Sequence, residues 1–209
     1  MFDDGFARRL AARYRRRGLT PPERSIVEHL AALGLPGRAV LEIGGGVGEI
    51  QLELLARGAE RTTNLELSGA YEAEASALLV ERGLAGRAAR VVGVDLAVDG
   101  EVVEPADYVV LHRVVCCYPD AQRLLQSAAT HARRALVFSH PPRSWLSRGS
   151  VRLGNTWMRL LGREYRGYVH APAAMYDVLE RAGFEMRTLR TGAQWWVVAG
   201  VRPPSATTV

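Results

Sequence analysis

The sequence contains no lysine, since all 27 of its basic residues are arginine. A nucleotide-binding P-loop places a lysine on the phosphates, and pyridoxal enzymes hold their cofactor through a lysine Schiff base. Both classes are therefore excluded for this chain. The formal net charge of +5 is compatible with an acidic partner and equally with ordinary surface charge.

Cysteine is also scarce, because the chain has only the adjacent pair Cys116 and Cys117. Such a pair excludes a disulfide framework, and we expect both side chains to pack as small hydrophobic groups. No apolar run approaches the roughly 20 residues of a membrane helix, and the N-terminus lacks the apolar core of a secretory signal. We therefore expect no membrane span and a cytoplasmic location. The histidines lack the spacing of metal ligands, so no metal site is predicted.

The 209 residues are enough for one well-buried α/β domain. Residues 1–36 are predicted to form a helical cap or lid, because apolar residues recur there at every fourth position. Short apolar strands alternate with amphipathic helices over residues 37–202. This pattern predicts a Rossmann-like, seven-stranded, mostly parallel sheet with helices on both faces. Residues 203–209 are polar and proline-rich, and we expect a mobile tail.

The predicted elements follow from apolar periodicity and from turn residues. Strands are predicted at 39–43, 61–65, 89–94, 108–112, 135–139, 185–190 and 195–201, the last two forming a hairpin. Helices are predicted at 47–57, 70–82, 119–132, 151–161 and 172–182.

A glycine-rich turn, EIGGGVG at residues 42–48, follows the first predicted strand. Its glycines allow the backbone to approach a ligand closely. The spacing is Gly44-x-Gly46-x-Gly48 and not the Gly-x-Gly-x-x-Gly of dinucleotide-binding sheets, so a nicotinamide dehydrogenase is disfavoured. Glu42 beside the turn would repel a pyrophosphate but suits a cationic ligand. S-adenosylmethionine (AdoMet) carries a sulfonium and an ammonium group, so charge complementarity favours it.

Two further acidic residues follow the next two predicted strands. Glu66 ends the second strand, where a carboxylate in a Rossmann-like sheet accepts the hydroxyl groups of a ribose. Asp95 lies just past the third strand, within reach of an adenine amino group. Solvated loop acids are the alternative interpretation of both residues.

These residues resemble the class I AdoMet-dependent methyltransferases. The turn at 42–48 is similar to their first motif, Glu66 to their second, and Asp95 to their adenine-side acid. The resemblance implies an enzyme that uses AdoMet as methyl donor. The residues assigned to the cofactor are Glu42, Gly44, Gly45, Gly46, Gly48, Glu66, Leu67, Asp95, Leu96, His112 and Arg113.

The rest of the chain is similar to the magnesium-protoporphyrin O-methyltransferases, which methylate a propionate carboxylate. The similarity implies a small-molecule acceptor that is methylated at oxygen, on a carboxylate or a hydroxyl, by in-line displacement. One position departs from that family, which tends to carry His before the Tyr-Pro pair, where this chain has Cys117. The similar stretches are Gly5-Phe6 with Tyr14, 118–120, 135–140, 168–171 and 179–184.

The acceptor decides whether a catalytic base is needed. A carboxylate needs none, whereas a hydroxyl needs a base with a pKa near the working pH. His112 and His140 are the candidate bases because both follow strands, and Tyr118 is a third catalytic candidate. For each of them a structural role is the alternative. Further aromatic residues are candidates for an acceptor pocket or for plain packing: Tyr14, Tyr165, Tyr168, Trp145 and Trp157.

Other functions stay open at this point. The arginine-rich N-terminal helix would suit an RNA methyltransferase or a membrane surface. We nevertheless consider a nucleic-acid partner unlikely, because lysine is absent and no separate RNA-binding module is visible. A non-catalytic AdoMet-binding protein is a further alternative. The sequence does not predict the oligomeric state.

Overall fold

The computed structural model describes residues 3–162 and 165–204. Seven strands form one sheet in the order β3-β2-β1-β4-β5-β7-β6. Strands β1 to β5 pair in parallel, and β7 runs antiparallel to both β5 and β6. The predicted fold class is confirmed. The strands are β1 (Ala39–Ile43), β2 (Arg61–Glu66), β3 (Ala88–Val92), β4 (Ala106–Leu111), β5 (Ala132–His140), β6 (Glu185–Arg190) and β7 (Trp196–Val201).

Within the described residues, eight α-helices connect or precede the strands, and short 3₁₀ turns occur between several of them. None of the helices in the described part of the chain is both long and apolar enough to cross a bilayer. The helices are α1 (Asp4–Arg17), α2 (Pro21–Ala32), α3 (Glu49–Ala56), α4 (Glu72–Glu81), α5 (Leu96–Asp99), α6 (Ala121–His131), α7 (Trp145–Leu160) and α8 (Pro172–Arg181).

The helices cover both faces of the sheet and bury one apolar cluster on each. The first cluster contains residues of the four helices α1, α2, α3 and α4. It also contains residues of β1 and β4, such as Val40 and Tyr108. The second joins α5, α6 and α8 with the opposite face, where Leu41 and Val109 point. Successive residues of a strand point to opposite faces, so a strand covered on both sides is apolar throughout. This arrangement leaves the strand ends as the polar, accessible part of the sheet.

The N-terminal helices pack in the first apolar cluster together with the sheet. Ala7, Ala11 and Tyr14 of α1 are buried, as are Ile26 and Leu30 of α2. Helix α1 begins after Asp3, whose carboxylate accepts a hydrogen bond from the Phe6 amide at 2.8 Å. Helices α1 and α2 both lie within the region 1–36, for which a helical cap was predicted. As shown below, both helices also reach the site at the strand ends.

Two predicted elements begin three or more residues away from their observed start, and one short helix was not predicted. Helix α7 begins six residues before the predicted start at 151, because Ser144 caps it by accepting a hydrogen bond from the Ser147 amide at 3.0 Å. Strand β5 begins at Ala132 and not at 135, since it follows α6 directly. The one-turn helix α5 was not predicted, because four residues are too few for a helical period. Most of the predicted tail at 203–209 lies outside the described residues.

Candidate active site

A cavity of about 610 Å³ lies at the carboxyl ends of β1, β2 and β4. Parallel sheets bind their ligands at this edge. The walls come from the glycine turn, from the segments after β2, β3 and β4, and from the N-terminal helices. Residues from α1 and α2 that line the cavity include Phe6, Leu10 and Glu23. Segments far apart in the sequence therefore form one enclosed site.

The glycine turn connects β1 to α3 and forms the floor of this cavity. Gly44, Gly46 and Gly48 all have positive φ angles of 64°, 56° and 81°, which L side chains rarely adopt. Gly45 is needed for a different reason, since a Cβ there would lie 2.2 Å from Nδ2 of Asn64. The Gly-x-Gly-x-Gly spacing thus follows from the backbone conformation of the turn. Gly44, Gly45 and Gly46 line the cavity, while Gly48 caps α3 outside the lining.

Glu66 stands at the end of β2 and is fixed by two backbone amides. Its Oε2 accepts a hydrogen bond from the Gly46 amide at 2.9 Å, and its Oε1 accepts one from the Ser68 amide at 3.0 Å. Each carboxylate oxygen has a second lone pair, so the group can accept two further hydrogen bonds. The side chain is buried and lines the cavity together with Leu67. This geometry suits the recognition of two neighbouring hydroxyl groups.

Asp95 lies beyond β3 and is joined to Tyr118 across the cavity. Its Oδ1 accepts a hydrogen bond from the Ala97 amide at 3.0 Å, which caps α5. Its Oδ2 accepts a hydrogen bond from the Tyr118 hydroxyl at 2.9 Å. Burial and the Asp95 contact raise the pKa of Tyr118 to about 12, so the phenol keeps its proton. Tyr118 therefore positions Asp95 and is poorly suited to act as a base.

Three glutamates line the opposite end of the cavity. Burial, reinforced by the nearby Glu49, raises the pKa of Glu42 to about 8. Burial and the proximity of Glu23 also raise the pKa of Glu49. Nη2 of Arg13 lies 2.8 Å from Oε1 of Glu49 and 3.5 Å from Oε1 of Glu23. Arg13 thus contacts two of the three carboxyl groups, and this excess of acidic groups favours a ligand that brings positive charge.

His112 follows β4 and is the only histidine among the described residues that lines the cavity. Its Nδ1 lies 2.9 Å from the Ser139 hydroxyl, which accepts a hydrogen bond from the Arg113 amide at 2.9 Å. The hydroxyl proton is then free to point at Nδ1, which leaves the ring proton on Nε2. Nε2 is buried and has no hydrogen-bond partner among the described residues, and Oε1 of Glu23 lies 3.7 Å from it, beyond hydrogen-bond distance. Burial, followed by the Arg113 charge, lowers the pKa of His112 to about 3, so the ring is neutral.

Arg113 is the only described non-glycine residue with a positive φ angle, 61°. Its guanidinium lies over the Trp195 ring, 5.3 Å from the centroid. A non-glycine residue in this conformation is strained and persists only where its surroundings fix it. Here the Ser139 hydrogen bond and the Trp195 contact fix the loop that carries His112.

The structure places His140 away from this cavity. The ring is buried below the end of β5, with Nε2 at 2.8 Å from the Tyr176 hydroxyl and Nδ1 at 2.9 Å from the Pro141 carbonyl. Both ring nitrogens are therefore occupied within the core. Of the other aromatic candidates, Tyr165 lines the cavity, whereas Trp145 and Trp157 are exposed on α7.

Sequence reasoning did not identify several residues that line or organise the site. Glu23 belongs to the capping box of α2, where its Oε2 accepts a hydrogen bond from the Thr20 amide at 2.6 Å, yet its Oε1 faces His112. The sequence offered no local signal for this second contact. The other residues that were not predicted are Arg13, Glu49, Tyr71 and Ser139.

Cys116 and Cys117 are half-buried and reduced, and Cys117 lines the cavity. Their sulfur atoms are 3.5 Å apart, and the Cys117 sulfur lies 3.1 Å from the Tyr165 hydroxyl. Hydrogen bonds from Cys116 and Tyr165 lower the pKa of Cys117. Within residues 3–162 and 165–204, no group of three or more His, Cys, Asp or Glu residues is placed to hold a metal ion.

Solved structures share this fold at low sequence identity. Magnesium protoporphyrin IX methyltransferase from Synechocystis PCC 6803, with bound SAH, is 24% identical; the match covers 87% of this chain and 82% of that one, with a TM-score of 0.69. An O-methyltransferase family 2 protein from Planctomyces limnophilus, in complex with apigenin, is 18% identical, covering 96% and 62%, with a TM-score of 0.70. Human N-acetylserotonin methyltransferase in complex with SAM is 17% identical, covering 95% and 55%, with a TM-score of 0.65.

No curated protein sequence matches the chain. A family model described as a methyltransferase domain matches residues 7–189, from within α1 to within β6, a range that includes the glycine turn. The match thus spans most of the chain and every cavity-lining residue except Phe6. The chain therefore belongs to the methyltransferase domain family, and it is an enzyme of that class.

Proposed function

We propose that this enzyme transfers the methyl group of AdoMet to a carboxylate oxygen of a small molecule. The observation that carries the proposal is the 2.9 Å contact between Nδ1 of His112 and the Ser139 hydroxyl, which occupies the ring nitrogen that could accept a proton and leaves no free histidine base among the described residues of the cavity. A carboxylate acceptor is already an anion and needs no base, whereas a hydroxyl acceptor does. The sequence left both acceptors open, and the described contacts favour the first.

The residues of the cavity fit AdoMet in size and in charge. A volume of about 610 Å³ lies within the range of roughly 300–1,000 Å³ typical of small-molecule sites. Glu42, Glu49 and Glu23 place three carboxyl groups where the glycine turn meets the N-terminal helices, an arrangement that suits a ligand bringing positive charge. Glu66 offers free lone pairs at the end of β2, and Asp95 stands at the end of β3. We assign the amino-acid end of the donor to the glycine turn, its ribose to Glu66 and its adenine to the Asp95 side.

When bound, AdoMet supplies a methyl group that the sulfonium has already activated for in-line displacement. The protein then contributes mainly orientation and the exclusion of water. His112 is positioned to donate a hydrogen bond through Nε2, and Tyr118 holds Asp95 in place. Phe6 and Leu10 of α1 cover the cavity and keep water out. No proton needs to leave the acceptor in this scheme.

The test uses AdoMet labelled in its methyl group and a panel of paired acceptors that differ only in bearing a carboxylate or a phenol. Methyl esters release methanol in alkali, whereas methyl ethers keep the label. We expect the product to carry alkali-labile label. A product with alkali-stable label would contradict carboxylate methylation, although the chain would still be a methyltransferase.

The variant His112→Gln separates a donor from a base at this position. Glutamine keeps an N–H group near the place of Nε2 but cannot accept a proton, so we expect kcat to fall by less than about tenfold. Loss of a general base costs about 100- to 10,000-fold, and a fall of that size would overturn the assignment. His131→Gln is the matched control, because His131 contacts the Gly100 carbonyl far from the cavity.

A further inference from the structure

Helix α7 carries a continuous apolar face that points into solvent. At 100° per residue, five of its apolar side chains fall within about a third of the helix circumference. The exposed fraction of each side chain is large, and the two tryptophans stand near the two ends of the face. We call this set the outer face of α7: Trp145 (80%), Leu146 (62%), Leu153 (73%), Trp157 (60%) and Leu160 (75%).

The opposite side of α7 already contacts the body of the protein. Val151, Asn155 and Met158 are half-buried on that side, whereas within α7, all of which is described, no residue is fully buried. The amide nitrogen of Asn155 donates to the Gly167 carbonyl at 2.9 Å, and its oxygen accepts from the Gly167 amide at 2.8 Å. This paired contact fixes the rotation of the helix. The outer face is therefore exposed because the opposite side of the helix packs against the rest of the protein.

All charged side chains of α7 are arginines and therefore positive. The sequence has no Asp or Glu between Asp120 and Glu164, a stretch that includes all of α7. Arg148, Arg152 and Arg159 follow each other along one edge of the outer face, and all three are exposed. A helix with Trp and Leu on one side and Arg beside them is typical of segments that lie in the interface of a bilayer. Indole rings favour the headgroup level, and arginine attracts anionic lipids.

We propose that α7 docks the enzyme on an anionic lipid surface through its outer face. The arginines would meet lipid phosphates and carboxylates, while the tryptophans and leucines enter the headgroup boundary. A second copy of the chain fits this face less well, because two α7 helices would bring six arginines together with no acidic residue of either helix between them. The contact is peripheral and does not require a membrane-spanning helix.

The proposal is independent of the acceptor assignment, since it rests on α7 alone. It does have a consequence for the active site. Tyr165, five residues beyond α7, lines the cavity, and the Tyr168 amide donates to the Cys116 carbonyl at 2.7 Å. Docking through α7 would therefore hold the part of the cavity wall formed by Tyr165 close to the lipid surface.

Co-sedimentation with vesicles tests the proposal on the full chain. One set of vesicles contains phosphatidylcholine and phosphatidylserine, and the other contains phosphatidylcholine alone. We expect binding to the first set that weakens as salt is added. The double variant Trp145→Ser/Trp157→Ser should lose at least about tenfold in partitioning, the scale of burying one large apolar side chain. Val80→Ser/Val102→Ser is the matched control, because these side chains are equally exposed outside α7.

A second double variant, Arg148→Gln/Arg152→Gln, tests whether the arginines contribute to vesicle binding. Each neutralised arginine near an anionic surface should weaken binding by about fivefold on the serine-containing vesicles, with no effect on phosphatidylcholine alone. A wild-type protein that stays in the supernatant would overturn the proposal. So would vesicle binding that the tryptophan variant leaves unchanged. A lipid-free dimer that the tryptophan variant dissociates would assign the outer face to a second copy instead.

Discussion

At the scale of single residues, the site depends on carboxylates whose environments differ. Glu66 accepts hydrogen bonds from two backbone amides, which fix its orientation. Glu42 lies deeper, where burial raises its pKa to about 8. Glu66 is thus oriented to accept hydrogen bonds, whereas Glu42 can change its charge when a ligand binds. Each makes its own prediction.

Glu66→Ala should weaken AdoMet binding by about 1–3 kcal/mol, the scale of losing hydrogen bonds to a buried charged group. Titration calorimetry measures this directly as an increase in Kd. Glu101→Ala is the control, because Glu101 is exposed and far from the cavity lining. An unchanged Kd in the Glu66 variant would contradict the assignment of the AdoMet ribose to Glu66.

Glu42 should release a proton when the cationic donor binds near neutral pH. A pKa of about 8 means that the carboxyl group is mostly protonated at pH 7 before binding. A positive ligand nearby favours the carboxylate and lowers this pKa, so the proton leaves. Calorimetry in buffers of different ionisation enthalpy counts the protons released. Glu42→Gln should abolish the release, and an identical count in that variant would show that the proton comes from elsewhere.

At the scale of elements, the turn between β1 and α3 decides whether a ligand can approach the sheet edge. The Gly44 amide donates to the Leu65 carbonyl at 2.7 Å, so the turn is tied to β2 at its start. Asn64 and Glu42 occupy neighbouring strands directly beneath it, as register partners. The turn therefore has little room to move.

Gly45→Ala tests this constraint. The added Cβ would meet Asn64 and Glu42 at 2.2 and 2.5 Å, so the turn must shift away from the strands. We expect a loss of about 1–3 kcal/mol in the free energy of unfolding, the usual cost of overpacking, together with weaker AdoMet binding. Gly86→Ala is the matched control, because no atom lies within 4 Å of its added Cβ. Denaturant unfolding would contradict the interpretation if both variants behaved alike.

At the scale of the whole molecule, buried titratable groups should make the free energy of unfolding depend on pH. Folding raises the pKa of Glu42 from 4.5 to about 8, so the folded state binds an extra proton between these values. This contribution to stability is full below pH 4.5 and is lost as the pH rises towards 8. His112 acts in the opposite direction, because its pKa falls from 6.5 to about 3. Its contribution is full above pH 6.5 and is lost as the pH falls towards 3.

Between about pH 6.5 and pH 8, His112 is neutral in both the folded and the unfolded state. In this window the free energy of unfolding therefore depends on the pH through Glu42 and not through His112. We therefore expect the ligand-free protein to become less stable across this window. Glu42→Gln should reduce that decline, since the amide keeps an acceptor for the Gln51 backbone and has no proton to lose. Urea unfolding at several pH values measures the slope. A slope that is the same in both proteins would show that Glu42 is charged in the folded enzyme.

Much of the molecule could be predicted from the sequence, for reasons that β1 and the following turn illustrate. An apolar strand, a glycine turn at fixed spacing and a helix are local patterns, and β1 was predicted with its observed limits. The acids at strand ends followed as well, because parallel strands bring their carboxyl ends to one edge. The predicted start of α7 was wrong. The prediction depended on the period of the apolar residues, and the serine cap and the exposed apolar face make that period hard to recognise at the start of the helix.

The order of apolar strands and helices and the glycine spacing determined the fold class and the family resemblance by themselves, because each is a property of neighbouring residues, and the absence of lysine excluded two other enzyme classes. Only the tertiary structure brought Glu23 of α2 to His112, and only it directed His140 into the core and the outer face of α7 into solvent. These facts depend on which distant segments pack together. Packing sets the direction of a side chain and the charge it carries, and a linear pattern contains neither.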